Sequence, residues 1–166
     1  MNSRTLAFTP VSPLTGEKIG SDLRIVALDV GDSRIGVALS DPLEMLASPL
    51  TIIKRLNEAS DVQNIVNLMN KHKAGRLIVG QPFSLSGEIG MQAKKVKAFA
   101  DRLARVLSIP IEMVDERFST VTAQEYMRET GKKKDRFKNK HDDAMAAAVI
   151  LQSYLDEHSP RRSEMP

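Results

Sequence analysis

The chain contains no cysteine. That absence excludes disulfides, thiolate metal sites and a cysteine nucleophile. Histidine is nearly as scarce: His72, His141 and His158 are the only three in 166 residues, so any bound metal is expected to take oxygen ligands rather than a zinc-type set. No apolar run approaches the ~18 residues of a membrane span. The opening MNSRTLAFTPVSPLTGEKIGSD lacks the continuous apolar core of a signal peptide, so the chain reads as cytoplasmic. Charge of one sign is also nearly absent in sum, since the net charge is only +3 and by itself indicates no polyanionic partner.

What is present fits one globular domain with a full core, at 42% hydrophobic and 27% charged residues. Residues 1–22 and 158–166 carry turn residues without an apolar period and read as loose tails around a domain at 23–157. Arg24 to Val30 is almost continuously apolar, as in a central strand covered on both faces. After a turn at Gly31, Asp32 and Ser33, the large residues Ile35, Val37 and Leu39 alternate with Gly36, Ala38 and Ser40, which predicts the return strand of a hairpin. A third strand is expected at Leu50 to Lys54. Ser60 and Gln63 then form a capping-box pattern ahead of a helix carrying Val62, Ile65, Val66 and Met69.

RLIVGQP (76–82) predicts a buried strand, 91–107 a helix with a basic outer face, and PIEMVDE (110–116) another strand. Ser119 and Thr120 would cap a short helix ending at Gly131, and an alanine-rich helix is expected from about Asp142 to Glu157. The order predicts an α/β fold, a mixed five-stranded sheet flanked by helices, in which a hairpin is extended by parallel crossovers.

In such a sheet, ligand sites lie beyond the carboxyl ends of the parallel strands. Asp29 ends the first strand there and Glu116 ends the last. A carboxylate in an apolar strand must be paired, hydrogen-bonded or metal-bound. Two at one sheet end repel each other, and a divalent cation with oxygen ligands, Mg²⁺ or Mn²⁺, would relieve that repulsion. Each acid also has a plain structural role open to it: Asp29 in the turn, Glu116 beside Arg117, and Asp142 or Asp143 as helix N-terminal charge. Their joint placement favours a shared pocket, and spacing alone does not choose between Asp142 and Asp143. Just before that helix, GKKKDRFKNK (131–140) sets six cations, Lys132, Lys133, Lys134, Arg136, Lys138 and Lys140, against one aspartate. A phosphate backbone held there would pass over the carboxylates. Phe137 is the single aromatic available for stacking, so backbone or shape recognition fits better than base readout.

DVGDSRIGVALSD, then the strand ending GQP followed by GEIGMQAKKVKAFADRLA, then VDERFSTVTA, then HDDAMAAAVILQSYL, in that order, resemble the YqgF (RuvX) family of RNase H-like nucleases over residues 23–157. The resemblance implies an RNase H-like fold and a cytoplasmic nuclease that processes the precursor of small-subunit (16S) ribosomal RNA. It also implies an older description as a Holliday junction resolvase, by likeness to RuvC, so structured RNA and branched DNA are the expected partners. Carried onto this chain, the implied acidic set is Asp29, Glu116 and Asp143, with the family register selecting Asp143 over Asp142. These three would hold one or two Mg²⁺ or Mn²⁺ ions for phosphodiester hydrolysis. Arg117, Lys138 and Lys140, then the other cations of the basic stretch and Arg34, are candidates for holding phosphates. His141 is a candidate proton relay.

Two departures from the family pattern stand out: Gln81 lies where leucine or tyrosine is usual, and the first 22 residues have no counterpart. Two rival classes share part of this pattern. LDVGDSRIGVALSD also resembles the first phosphate loop of actin-like and sugar-kinase ATPases, but those use two such domains and this chain has one. A non-catalytic RNA-binding assembly factor is the other, which the intact acids disfavour.

Overall fold

The first strand, β1 (Arg24–Val30), lies in the middle of the sheet because both of its faces are apolar. The structure, a computed structural model, describes residues 23–82, 89–116 and 142–158. Residues 1–22 and 159–166 of the expected tails, the capped helix before Gly131 and the basic stretch at 131–140 lie outside them, while His158 ends the last helix. β2 (Arg34–Ser40) and β3 (Ala47–Lys54) follow as an antiparallel meander, and β4 (Ala74–Gln81) and β5 (Ile111–Asp115) add in parallel on the other side of β1. The sheet order is β3-β2-β1-β4-β5, the mixed five-stranded arrangement expected from the order of strands and helices.

Side-chain alternation sorts the two faces. Val26, Leu28 and Val30 of β1, with Ile35, Val37 and Leu39 of β2, pack under α1 (Glu58–Lys71) and α2 (Met91–Val106). The opposite face carries Ile25, Ala27 and Ala38, and α3 (Asp142–His158) lies on it through Ala147, Ala148, Ile150 and Leu151. The division into large and small residues read along β2 is therefore a division between thick and thin layers. Alanines on both sides let α3 approach the sheet closely.

α1 starts earlier than the Ser60 and Gln63 pattern suggested. Asn57 is the cap, its side chain accepting from the Ser60 backbone N–H at 2.9 Å, while Gln63 donates instead to Asn67 at 2.9 Å. Asparagine is as good a cap as serine, and the first turn it adds brings Asp61 into the core. β3 is also longer than expected, because Gln152 of α3 holds its first residue: Ala47 donates its backbone N–H to Gln152 Oε1 at 3.0 Å, and Gln152 Nε2 donates to the Met45 carbonyl at 3.0 Å. Among the described residues, no helix is long and apolar enough to cross a membrane.

Closest of all is the approach at Gly36. A Cβ built there would overlap the carbonyl group of Asp143, which is backbone and cannot turn aside. Gly36→Ala must therefore push the first turn of α3 off the sheet. The expected cost is about 3 kcal/mol, the upper part of the range for overpacking, measurable as a lowered urea midpoint with an unchanged slope.

Candidate active site

Asp29 lies on the α3 side of β1, one alternation beyond Ala27, and has no large neighbour in the sheet. Its antiparallel partner on β2 is Gly36. On β4, the pairing of Leu28 with Val79 places Gly80 beside it, one step further on. The carboxylate thus lies in a notch between two glycines. Asp143 enters from above Gly36, on the first turn of α3. Glu116 enters from the other side: β5 ends at Asp115, and the next residue keeps the side of Glu112 and Val114. The structure brings together the three acids that the family resemblance implies. Asp142 heads the same helix, but its side chain lies outside the described residues, as do Arg117, Lys132, Lys133, Lys134, Arg136, Lys138, Lys140 and His141.

Burial pushes the Asp29 carboxyl above the ordinary aspartate range, a hydrogen bond with Glu116 partly offsets this, and the negative charge of Asp143 adds to the rise. Glu116 is pushed up to about 7, first by burial, then by the charge of Asp29 and the hydrogen bond to it, with Asp115 contributing further. Below about pH 7 Glu116 therefore keeps its proton and donates it to Asp29. Asp143 is neutralised from its outer side, with its Oδ2 at 3.5 Å from Arg34 Nε. That pair is long and half-exposed, so it is weak, worth about 0–1 kcal/mol, and easily parted.

Two further groups shape the rim, neither of which was singled out in the sequence. Lys95 of α2 lies 3.5 Å from Asp32 in the β1–β2 turn, and Gln92 Nε2 donates to the Val30 carbonyl at 3.4 Å. They bring the N-terminal end of α2 to the same end of the sheet as the acids. Beneath the turn, Arg55 acts as a clamp. Its Nη1 donates to the Gly31 carbonyl at 3.0 Å, its Nε to Asp61 Oδ2 at 2.9 Å, and its guanidinium carbon stands 5.0 Å from the centre of the Phe99 ring. Sequence reading could not have found this clamp, because Asp61 occupies an N-terminal helix position where an acid needs no partner to be explained.

Among the described residues, no three acidic, histidine or cysteine side chains already stand arranged as a metal cage. The donors nonetheless suit a hard divalent cation. All are carboxylate oxygens, two have proton affinity raised by burial and by each other or Asp143, and the third is held aside by a weak ion pair. A cation binding here must displace the Glu116 proton. Because the native state keeps that proton between the ordinary value of 4.5 and about 7 while the unfolded chain releases it, the metal-free protein loses stability as pH rises through that window. Mn²⁺ should accordingly raise the melting temperature more at about pH 8 than at about pH 6. Equal shifts at the two pH values would place Mn²⁺ elsewhere.

A mixed sheet in the order β3-β2-β1-β4-β5 with helices on both faces is an RNase H-like fold. The fold resembles that of Thermus thermophilus RuvC in complex with a Holliday junction substrate, with a TM-score of 0.55 at 12% identity over 86% of this chain and 97% of that one. A family model described as "RuvX: Holliday junction resolvase" matches residues 23–157. Among relatives, a Dehalococcoides mccartyi protein called "Putative pre-16S rRNA nuclease" is 52% identical over 131 residues, covering 79% of this chain and 96% of its own length. A Chloroflexus aurantiacus protein of the same description is 43% identical over 149 residues, covering 88% of this chain and 97% of its own. The chain belongs to the RuvX family.

Proposed function

We propose that this protein is a metal-dependent nuclease that hydrolyses phosphodiester bonds in the cytoplasm, with the precursor of 16S ribosomal RNA as its substrate. The observation that carries the reading is the convergence of Asp29, Glu116 and Asp143 on one glycine-flanked notch at the end of the sheet. The descriptions of the relatives support the choice of RNA. Asp29, Glu116 and Asp143 would hold Mg²⁺ or Mn²⁺, which when bound supplies an activated water and charge for the leaving oxygen.

The chain's own groups do the rest. Asp29 is fixed by its strand and sets the centre of the site. Glu116 would give up the proton it shares with Asp29 as its carboxylate takes part in holding the cation. Arg34 is free to leave Asp143 for a substrate phosphate, since the pair it breaks is weak. Arg117 and the cations at 132–140 would hold the nucleic-acid backbone, giving affinity that falls with salt. The functional unit would be 23–157, with 1–22 and 158–166 as extensions.

Four-way DNA junctions are the second reading, favoured by the description of the matching family. End-labelled precursor ribosomal RNA and a four-way junction, incubated side by side in Mn²⁺, separate the two. RNA products support the proposal, junction products alone transfer it to DNA, and no cleavage of either moves the non-catalytic binding factor ahead.

A further inference from the structure

β4 is filled on both faces until its last turn of alternation. Leu77 and Val79 pack under the helices α1 and α2, Ile78 packs under α3, and then Gly80 presents nothing at all beneath α3. The gap is not empty space. A Cβ at Gly80 would stand 2.7 Å from Glu116 Oε1, 3.1 Å from Glu116 Cγ and 2.7 Å from Ile150 Cδ1. Glu116 therefore folds back across β4, over the position a side chain would fill, on its way to Asp29. Two structural demands meet at this one residue: the seat of α3 through Ile150, and the path of the Glu116 carboxylate.

The atoms that would be struck differ from those at Gly36. There the obstacle is backbone; here it is the ends of two flexible side chains, which can turn aside with little disturbance of the fold. A methyl group would be tolerated by the sheet, but the carboxylate would have to leave its place. We infer that Gly80 is a positioning residue of the acidic site, the absence of its side chain being what lets Glu116 reach Asp29. The inference rests on the reading of Asp29, Glu116 and Asp143 as holders of a divalent cation.

The test measures Mn²⁺ affinity by titration calorimetry and melting temperature on the same samples, for wild type, Gly80→Ala, Ile150→Val, the double variant Gly80→Ala/Ile150→Val and Gly75→Ala. Ile150→Val deletes the Cδ1 atom and so relieves the apolar half of the clash while leaving the Glu116 half. Gly75 is the control on the same strand, because the nearest atoms a Cβ there would meet belong to the Leu23 side chain, at 3.0 Å, far from the acids. Wild type, Ile150→Val and Gly75→Ala are expected to share one affinity. Gly80→Ala should bind about tenfold more weakly or worse, the usual scale for losing the support of a metal ligand. The double variant should regain melting temperature without regaining affinity.

Recovery of both together in the double variant overturns the inference, since Ile150 packing would then account for everything. If wild type binds no Mn²⁺, the carboxylate reading fails and the inference falls with it. The two failures are told apart by the wild-type titration alone.

Discussion

Replacing Asp29 with asparagine will cripple cleavage while leaving the metal-free protein at least as stable as wild type. The two effects share a cause. Asp29 is the innermost of the three acids, and burial together with the charge of Asp143 raises its proton affinity, so its ionised form is a burden on the fold at neutral pH. Asparagine keeps the shape and an oxygen that accepts from Glu116, but carries no charge to hold a cation. Charge stabilisation by a bound metal is worth several kcal/mol in the transition state, so the rate should fall on the order of a thousandfold. The melting temperature without metal, at about pH 8, should stay level or rise, because the variant lacks a carboxylate whose burial makes its ionised form costly to the fold. With Mn²⁺ the order should reverse, since only wild type gains. Loss of stability together with loss of activity would instead make Asp29 a structural turn residue.

Asp61→Ala should be the most damaging single change to the fold. The side chain is only 2% exposed, its Oδ2 accepts from Arg55 and its Oδ1 accepts from the Leu56 backbone N–H at 3.2 Å. Truncation leaves an uncompensated guanidinium between α1, α2 and the β1–β2 turn, and breaking one side of such a buried pair costs about 3–5 kcal/mol. For a chain of this size that corresponds to roughly 10 °C in melting temperature. Because Arg55 also holds the Gly31 carbonyl, the loss should reach the site as weaker Mn²⁺ binding. A urea midpoint within about 0.5 kcal/mol of wild type, the range of ordinary surface substitutions, would show that water replaces the aspartate.

Much of this was legible in the residues alone. The continuous apolar run of β1 predicted its central place, and the large and small alternation of Ile35 to Ser40 predicted the return strand of a hairpin, because period and side-chain size are local properties of a strand. Asp29 and Glu116 could be placed at one sheet end because strand order fixes which ends coincide. The third acid was different. Spacing left Asp142 and Asp143 equal, and the family register made the choice, since the roll of a helix about its axis depends on what it packs against. Gly36 supplies that contact in the fold, a constraint between residues more than a hundred positions apart. The cap at Asn57 and the Arg55–Asp61 clamp were missed for the same reason: each residue has an ordinary local explanation that hides its partner.

The arrangement of strands also sets an order of assembly. β1, β2 and β3 are consecutive and joined by short connections, so they can pair as soon as they leave the ribosome. α3 is made last, yet it returns to β2 and β3, where Gln152 reaches back to Ala47 and Asp143 settles over Gly36. A nascent chain can thus own a sheet and its first carboxylate for the whole of its synthesis without owning the third. Under the proposed reading the acidic site is complete only once α3 docks over Gly36, so the unfinished chain would lack the means to cut the RNA around it.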